Sequence, residues 1–441
     1  MEQTEAGMST NPPDPKPERR LDWPFLVVVV VAAVFLALAV FLRVNELQEG
    51  VDAGTSNRVA WGFLVVNYVT FIGLSAGGVI IASLVHILDI RRFKSIATFA
   101  ELLAIISIIL VPVFIFFDLG RPERAINLLL YGRIESPLVW TVIVLTTYLA
   151  VCATYLYYGV RRELVALENE PGRLRWLYRL ILLGYKDVSP KAIARDERLV
   201  RRMSYLVLPL AVVLHSVTGL IFAVVSAKPG YNTALLPPLF VVSAVVSGIA
   251  LVALVIVAAG KRVRLPVEKG VVEELGRILA ILIPVLGYLL LMEWTVVFYG
   301  TDPGARNVWL FITQGAYAPL FWGLVLFGLV LPFLILAPRR TRTRNGVAVA
   351  SAMVVFGIFL ERYLIVEAPL LIPNLPGAVR AFAPTLTEIL LALGVYALGI
   401  LLLALSTKLF PIGETYRRLH RPPPGAQQEP ASSHAPGGSG A

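Results

Sequence analysis

Ten apolar runs of about 20 residues or more restrict the fold of this chain more than any other feature. A helical run of this length covers the roughly 30 Å hydrocarbon core of a bilayer at 1.5 Å per residue. The runs are too long and too uniformly apolar for the alternating strands of a barrel. We therefore predict an all-α polytopic membrane protein, with spans near residues 23–42, 59–88, 96–117, 138–159, 203–226, 236–259, 271–298, 317–337, 346–366 and 385–407.

The distribution of basic residues predicts the orientation of these spans. Of the 39 lysines and arginines, 29 fall in the N-terminal segment, the loops after even-numbered spans and the C-terminal segment, and eight fall in the other loops. Because basic residues mark the cytoplasmic side, we predict a multi-pass protein of the cell (inner) membrane with both termini cytoplasmic. Anionic lipid accounts for the net charge of +10, so no nucleic-acid partner is implied.

Segments of different composition border and interrupt the spans. The Pro-rich residues 1–22 and the Pro/Gly/Ser-rich residues 411–441 are predicted to be disordered cytoplasmic segments. Residues 23–54 are predicted to form the first span and its outer loop. The long basic loop 160–202 contains "GRLRWLYRLILLGYK", which mixes Arg with Leu, Trp and Tyr and is typical of a helix lying in the membrane interface.

Two short patterns occur twice, in the same order. The first is a glutamate eleven residues before a proline, and the second is Pro-Leu-x-Trp at the start of the next span: Glu101 with Pro112, Glu273 with Pro284, residues 137–140 and residues 319–322. The repetition predicts two four-helix bundles, helices 2–5 in residues 55–227 and helices 6–9 in residues 228–370. Helix 1 and a last helix in residues 371–410 would flank them.

The residue inventory leaves few ways to hold a redox centre. The single cysteine, Cys152, cannot hold an iron–sulfur cluster, and there is no C-x-x-C-H motif for covalent haem. His86 and His215 differ in height by roughly 10–15 Å, which argues against a shared haem and leaves open only a haem with a single ligand. We expect no haem, no iron–sulfur cluster and no metal site in this chain. Walker A, GxSxG and HExxH motifs are also absent from the sequence.

Ionisable residues inside spans are costly and are therefore functional candidates. We assign a proton pathway to those nearest the cytoplasmic and outer ends of the spans, with an inner half-channel through Glu101 and His86. The alternatives are a ring of groups at the inner interface and, for Glu361 and Arg362, a structural ion pair with another helix. The proton-pathway candidates are His86, Glu101, Glu273, Glu293, Glu361 and Arg362.

The stretch "FIFFDLGRPERAINLLLYGR" ends an apolar span in a dense set of charges and turn residues. It forms the predicted outer loop between spans 3 and 4, and the other outer loops are also short and rich in Pro and Gly. Such an ordered surface is typical of a docking site for a partner. We take Arg121, Arg124 and Lys228 as candidate docking residues.

Three segments together resemble the NrfD/PsrC family, the quinone-reactive membrane subunits of polysulfide-reductase-like complexes. They are "NYVTFIGLSAGGVI", "FFDLGRPERAINLL" followed by "SPLVWTVIVLTTYL", and "LHSVTGLIFAVVSAKPGYNTALLPPLFVVSAVVSG". The resemblance covers residues 55–405 and implies a subunit that binds menaquinol or another quinone near the outer face. Its implied partner is a periplasmic, ferredoxin-like iron–sulfur subunit, which serves a molybdopterin enzyme or a cytochrome. The subunit is expected to be inactive alone.

A quinone head needs hydrogen-bond donors and a proton acceptor beside an apolar slot for its tail. Gly77, in a Gly-x-x-x-Gly pattern, would let a flat ligand or another helix approach the backbone. The predicted quinone-binding residues are Asn67, Tyr68, Gly77, Asp118 and His215, with Asp118 and His215 as the catalytic pair. Two other functions stay open from the residues alone: a secondary transporter, and a membrane anchor without quinone chemistry.

Overall fold

A computed structural model describes residues 23–49, 60–88, 90, 93–172, 174–263, 265, 267–268, 270–373, 382–410 and 412. The predicted N-terminal segment 1–22 and all but Ile412 of the predicted tail 411–441 lie outside the described residues. Within the described part of the chain all regular structure is helical, and ten helices are long and apolar enough to cross a membrane. The prediction of an all-α protein with ten spans is confirmed.

The ten long helices are numbered in chain order. They are α1 (Trp23–Glu49), α2 (Phe63–Leu88), α3 (Lys94–Asp118), α4 (Pro137–Asn169), α5 (Pro190–Ala223), α6 (Leu236–Val263), α7 (Val271–Tyr299), α8 (Ala318–Leu336), α9 (Arg344–Leu371) and α10 (Leu386–Leu409). Helix α8 contains a wider, π-helical turn at Leu324–Val330. Short helices occupy Pro122–Ile126, Asn127–Leu130, Arg175–Leu182 and Pro303–Thr313.

Helices α4 and α5 reach well into the loop predicted at 160–202. A hydroxyl cap from Ser189 and a proline at the first helical position start α5 at Pro190. Arg161 on α4 makes a two-pronged ion pair with Asp196 on α5, with Arg161 Nε 2.7 Å from Asp196 Oδ2. This ion pair fastens the two extensions together, and the amphipathic helix Arg175–Leu182 lies in the connection between them.

The helices form two rings of contacts. In one ring α2 packs against α3 and α5, and α4 packs against the same two helices. In the other ring α6 packs against α7 and α9, and α8 packs against the same two. The rings meet where α2 contacts α6 and α9 and where α5 contacts α6. Helices α1 and α10 pair with each other, and α10 lies against α2 and α3.

A glycine contact brings α2 and α6 together. A Cβ atom built on Gly77 would lie 2.0 Å from the carbonyl carbon of Gly248, so the two backbones touch. Gly77 is therefore occupied by helix packing. Of the two neighbours that the sequence pattern allows, a helix or a flat ligand, the structure places a helix against Gly77.

Adding one methyl group at Gly77 should destabilise the protein, because a neighbouring backbone cannot move aside as a side chain would. We expect Gly77→Ala to cost about 1–3 kcal/mol, as other overpacked cores do, and to lower the thermal unfolding temperature in detergent. Gly159→Ala on α4 is the matched control, since no atom lies within 4 Å of a Cβ at Gly159. Equal unfolding temperatures for the two variants would contradict the packing role of Gly77.

Candidate functional site

The predicted site residues divide between the two ends of the helices. The Asp118 face is the end at which odd-numbered helices finish and even-numbered helices begin, and Asn67, Tyr68 and Asp118 belong to it. The opposite end is the His86 face, and it carries His86 and Glu101. In the predicted orientation, the Asp118 face is the outer one.

Asn67 links α2 to α10 at the Asp118 face. Its side chain is fully buried, its Nδ2 donates to the carbonyl oxygen of Phe63 at 2.7 Å, and its Oδ1 accepts a hydrogen bond from the Tyr396 hydroxyl. The Tyr396 ring packs against Phe71 and Phe114, with ring centroids 5.5 and 5.9 Å away. An amide and a phenol hydroxyl thus form a buried polar pair in aromatic surroundings.

Asp118 ends α3 beside an arginine contributed by α1. The buried Arg43 donates to the carbonyl oxygen of Leu119 and pairs with Glu46 at 2.6 Å, so a cation caps the C-terminus of α3. No described side chain donates a hydrogen bond to Asp118 itself. Its half-buried carboxylate interacts electrostatically with the side chains of Glu388, Arg43 and Glu46.

Two tyrosines interact with carboxylates at this face, Tyr68 with Asp118 and Tyr231 with Glu367 on α9. The charge of Asp118 acts on Tyr68, which is buried on α2. Tyr231, in the connection between α5 and α6, donates to the carbonyl oxygen of Val366 at 2.5 Å. Burial, together with the charges of Glu367 and Tyr68, raises the pKa of the Tyr231 phenol well above its usual value. Tyr231 therefore stays a neutral hydrogen-bond donor at physiological pH.

His215 lies deeper than this group. Its Nδ1 is 2.5 Å from the carbonyl oxygen of Ala211, and its Nε2 is 3.0 Å from that of Ile72. Ile72 is five residues beyond Asn67 on α2, or about 7.5 Å along the helix. Both ring nitrogens are thus directed at backbone carbonyls, and no hydrogen bond joins His215 to Asn67 or Asp118. The structure does not bring the predicted catalytic pair into direct contact.

A second buried polar group lies in the ring of α6 to α9. Arg362 is 1% exposed, its guanidinium is 3.8 Å from the ring centroid of Phe240, and it donates to the Ser243 hydroxyl. Its Nη1 lies 3.9 Å from Oε2 of the equally buried Glu361. The charge of Glu361 acts on Glu293, which is buried on α7. Three of the predicted proton-pathway residues therefore occupy one neighbourhood.

A third polar group lies in the first ring toward the His86 face. The Tyr155 hydroxyl is 2.7 Å from Nδ1 of His86 and accepts a hydrogen bond from Ser204 at 3.1 Å. Glu101 is 4% exposed, and its charge acts on Tyr155 and Cys152. The two residues of the predicted half-channel, His86 and Glu101, thus share Tyr155 as a neighbour.

Glu273, the repeat counterpart of Glu101, lies elsewhere in its helix. It is half-buried in the first turn of α7, where a carboxylate complements the helix dipole. Glu101 follows the start of α3 by five residues more, which is about 7.5 Å of additional depth. The two copies of the repeat therefore share the spacing between glutamate and proline, but their glutamates lie at different depths along the helices.

The candidate docking residues differ in their availability. Arg121 and Arg124 are exposed around the short helix Pro122–Ile126 at the Asp118 face. Lys228 is half-buried, and its Nζ lies 3.5 Å from the carbonyl oxygen of Ile372 beyond α9. The two arginines can meet a partner directly, whereas Lys228 has a neighbour within the same polypeptide.

An apolar cavity of about 550 Å³ lies between α1 and α10, a volume within the usual range for small-molecule sites. Tyr396 forms part of its wall. The other lining residues are Val27, Val28, Val31, Ala32, Phe35, Leu393, Ala397 and Ile400. Among the described residues, no group of three or more His, Cys, Asp or Glu is placed to hold a metal ion.

Sequence reasoning missed several residues of these groups. Arg43, Tyr231 and Tyr396 look unremarkable in the sequence, because nothing in a helical span reveals which neighbour a side chain will face. Glu367 had a signal, since it is a carboxylate inside the apolar run "YLIVEAPLLI" and its side chain is 0% exposed.

Comparison with known proteins assigns a class to this fold and these sites. The family model described as "Polysulphide reductase, NrfD" matches residues 51–374. The chain belongs to the NrfD family, as the three sequence segments predicted, and this family contains membrane subunits of oxidoreductase complexes.

Three relatives illustrate that class. A selenate reductase subunit of Mesobacillus selenatarsenatis is 27% identical over 90% of this chain and 96% of its own length. The Hdr-like menaquinol oxidoreductase integral membrane subunit of Archaeoglobus fulgidus is 27% identical over 88% of this chain and 93% of its own length. A polysulfide reductase polypeptide of Wolinella succinogenes is 25% identical over 71% of this chain and 95% of its own length.

Removing the cation from the Glu361–Arg362 pair should destabilise the protein, because the carboxylate would remain buried without compensation. We expect Arg362→Met to cost about 3–5 kcal/mol, measured as thermal unfolding of the purified protein in detergent. The double variant Glu361→Gln with Arg362→Met should regain part of this loss. If the double variant is less stable than Arg362→Met alone, the two residues do not compensate each other's charge.

Proposed function

We propose that this chain is the quinone-reactive membrane subunit of a respiratory oxidoreductase complex. It exchanges electrons between membrane quinone and an iron–sulfur subunit docked at the Asp118 face. One observation carries the proposal: Tyr396 forms part of the wall of the apolar cavity and also donates a hydrogen bond to Asn67. An apolar space open to lipid thus adjoins a buried polar pair, which suits a ligand with a polar head and a long apolar tail.

The residues around this junction supply the chemistry that a quinone head requires. Asn67, Tyr68 and Tyr396 carry amide and phenol groups that hydrogen-bond to the two oxygens of the head. Asp118, which accepts no hydrogen bond from a described side chain, takes up a proton as quinol is oxidised. The name of the Archaeoglobus relative, a menaquinol oxidoreductase subunit, supports menaquinol as the substrate.

The partner docks where Arg121 and Arg124 are exposed. Cationic side chains around a short ordered loop favour an acidic protein surface and steer its approach. The excess of basic residues at the other face supports a periplasmic position for the Asp118 face and cytoplasmic termini. The partner is a ferredoxin-like iron–sulfur subunit, which serves a molybdopterin enzyme or a cytochrome. The names of the relatives as components of reductases support a partner that belongs to a reductase complex.

Quinol-dependent electron transfer by the intact complex tests the proposal. In membranes that contain the whole complex, a short-chain menaquinol analogue should reduce the iron–sulfur subunit, and Asp118→Asn should slow this about 100-fold because a proton acceptor is lost. Glu123→Gln, an exposed carboxylate of the same loop, is the control. No quinol-dependent reduction in wild type would refute the function, and an active Asp118→Asn would remove Asp118 from the site.

A line of polar groups supports coupling of this reaction to proton movement. From the His86 face it runs through His86, Tyr155 and Glu101. It continues through Tyr148, which lies near Ser75, Cys152 and Glu101. Ser75 donates to the carbonyl oxygen of Ile72 at 2.7 Å, and that oxygen also faces His215. In this proposal the line is a proton half-channel from the cytoplasm toward the quinone site.

Glu101→Gln tests the half-channel in proteoliposomes that hold the whole complex. The amide cannot accept and release a proton, so we expect electron transfer to continue while proton movement per electron falls. Tyr155→Phe, which removes the hydroxyl beside His86, should have the same effect. Glu274→Gln, at the same end of the bundle and paired with Arg277 at 3.5 Å, is the control. Wild-type ratios of protons to electrons in Glu101→Gln and Tyr155→Phe would leave both residues structural.

A further inference from the structure

Glu367 is a buried carboxylate about one turn before α9 ends at the Asp118 face. Its side chain is 0% exposed, and neither of its oxygens has a hydrogen-bond partner among the described residues. A buried carboxylate that serves only structure normally accepts hydrogen bonds, because an unpaired charge in a protein interior is costly. No structural role among the described residues accounts for the burial of Glu367, which points to a functional role.

Two neighbouring carboxylates, Glu388 and Glu46, have structural roles. Glu388 forms a capping box at the start of α10, where its Oε2 accepts from the Thr385 backbone at 2.9 Å. Its Oε1 accepts from the Phe63 backbone at 3.1 Å. Glu46 pairs with Arg43. These two carboxylates are used by the fold, whereas the oxygens of Glu367 are not.

The surroundings of Glu367 connect it to the proposed quinone site. The charges of Glu388 on α10 and Asp118 on α3 act on its carboxylate, so both residues lie in its surroundings. Its own charge acts on Tyr231, whose hydroxyl is bonded to the carbonyl of Val366, the residue before it. Glu367 therefore has Tyr231 and the proposed proton acceptor Asp118 among its electrostatic neighbours, on a helix that contacts α2 of the first ring.

We infer that Glu367 is a second proton acceptor of the quinol site. This inference rests on the proposed quinone function. Oxidation of one quinol releases two electrons, which pass to the docked iron–sulfur subunit, and two protons. One quinol O–H bond breaks as an O–H bond forms on Asp118, and the other breaks as one forms on Glu367. Both carboxyl groups then release their protons at the Asp118 face, and quinone reduction runs through the same groups in reverse.

Two acceptors match the two protons of the reaction. A single carboxylate would have to discharge its first proton before the second could leave the quinol. Carboxylates on α3 and α9 provide one acceptor for each proton. The absence of partners then has a reason, since an oxygen engaged in a structural hydrogen bond is a poorer acceptor for a substrate proton.

Glu367→Gln in the whole membrane-bound complex tests this role, with oxidation of the short-chain menaquinol analogue as the readout. We expect kcat to fall about 100-fold, as when a general base is removed, with KM changed less than about threefold. Glu168→Gln is the matched control, because Glu168 is 1% exposed, also has one oxygen without a partner, and lies near the His86 face. It should keep wild-type kcat.

The possible outcomes separate this inference from the proposed function. A wild-type complex without quinol oxidation would refute the quinone function itself. An active wild type with unchanged kcat in Glu367→Gln would overturn the role of Glu367 alone. If Glu367→Gln does not assemble, Glu367→Asp is examined by infrared difference spectroscopy during quinol oxidation. A carboxyl C=O band that shifts relative to wild type supports the role, and an unshifted band overturns it.

Discussion

The contact between Gly77 and Gly248 is the interaction on which the rest of the arrangement depends, because it holds α2 against α6 with the two backbones touching. Helix α2 also packs against α3, α5, α9 and α10, so it contacts members of both rings as well as the last helix. Along this one helix lie Asn67, Tyr68, Ser75 and His86. A change in the depth or rotation of α2 would therefore displace the polar groups of both faces together.

The sequence was sufficient for the number of spans and for the family, because length, hydropathy and local motifs are properties of single segments. It was insufficient for the site, because a uniformly apolar span does not reveal which way each side chain faces. Asp118 was found as a polar residue near the end of a span, and Asn67 as one that lies deeper in its span. Their neighbours Tyr396 and Arg43 come from the last and first spans, and no local pattern pairs Tyr396 with Asn67, 329 residues before it.

The same limitation explains the differences at His215 and Gly77. A histidine in the middle of a span indicates a functional candidate, yet its nitrogens face the carbonyl oxygens of Ala211 and Ile72. A Gly-x-x-x-Gly pattern is compatible with a helix or a ligand as neighbour, and only the position of α6 decides between them. Glu367 is the opposite case, since its position in an apolar run was a signal that went unused until the structure showed its buried carboxylate without partners among the described residues.

The cap that Arg43 places on α3 has a consequence for how members of this family can differ. Helices α1 and α10 lie outside residues 51–374, the region that the family model matches. They nevertheless supply Arg43, Glu388 and Tyr396 to the Asp118 face. A protein reduced to the matched region would leave the end of α3 uncapped and Asn67 without its phenol neighbour. The helices at the periphery of this chain thus supply chemistry that its matched core lacks.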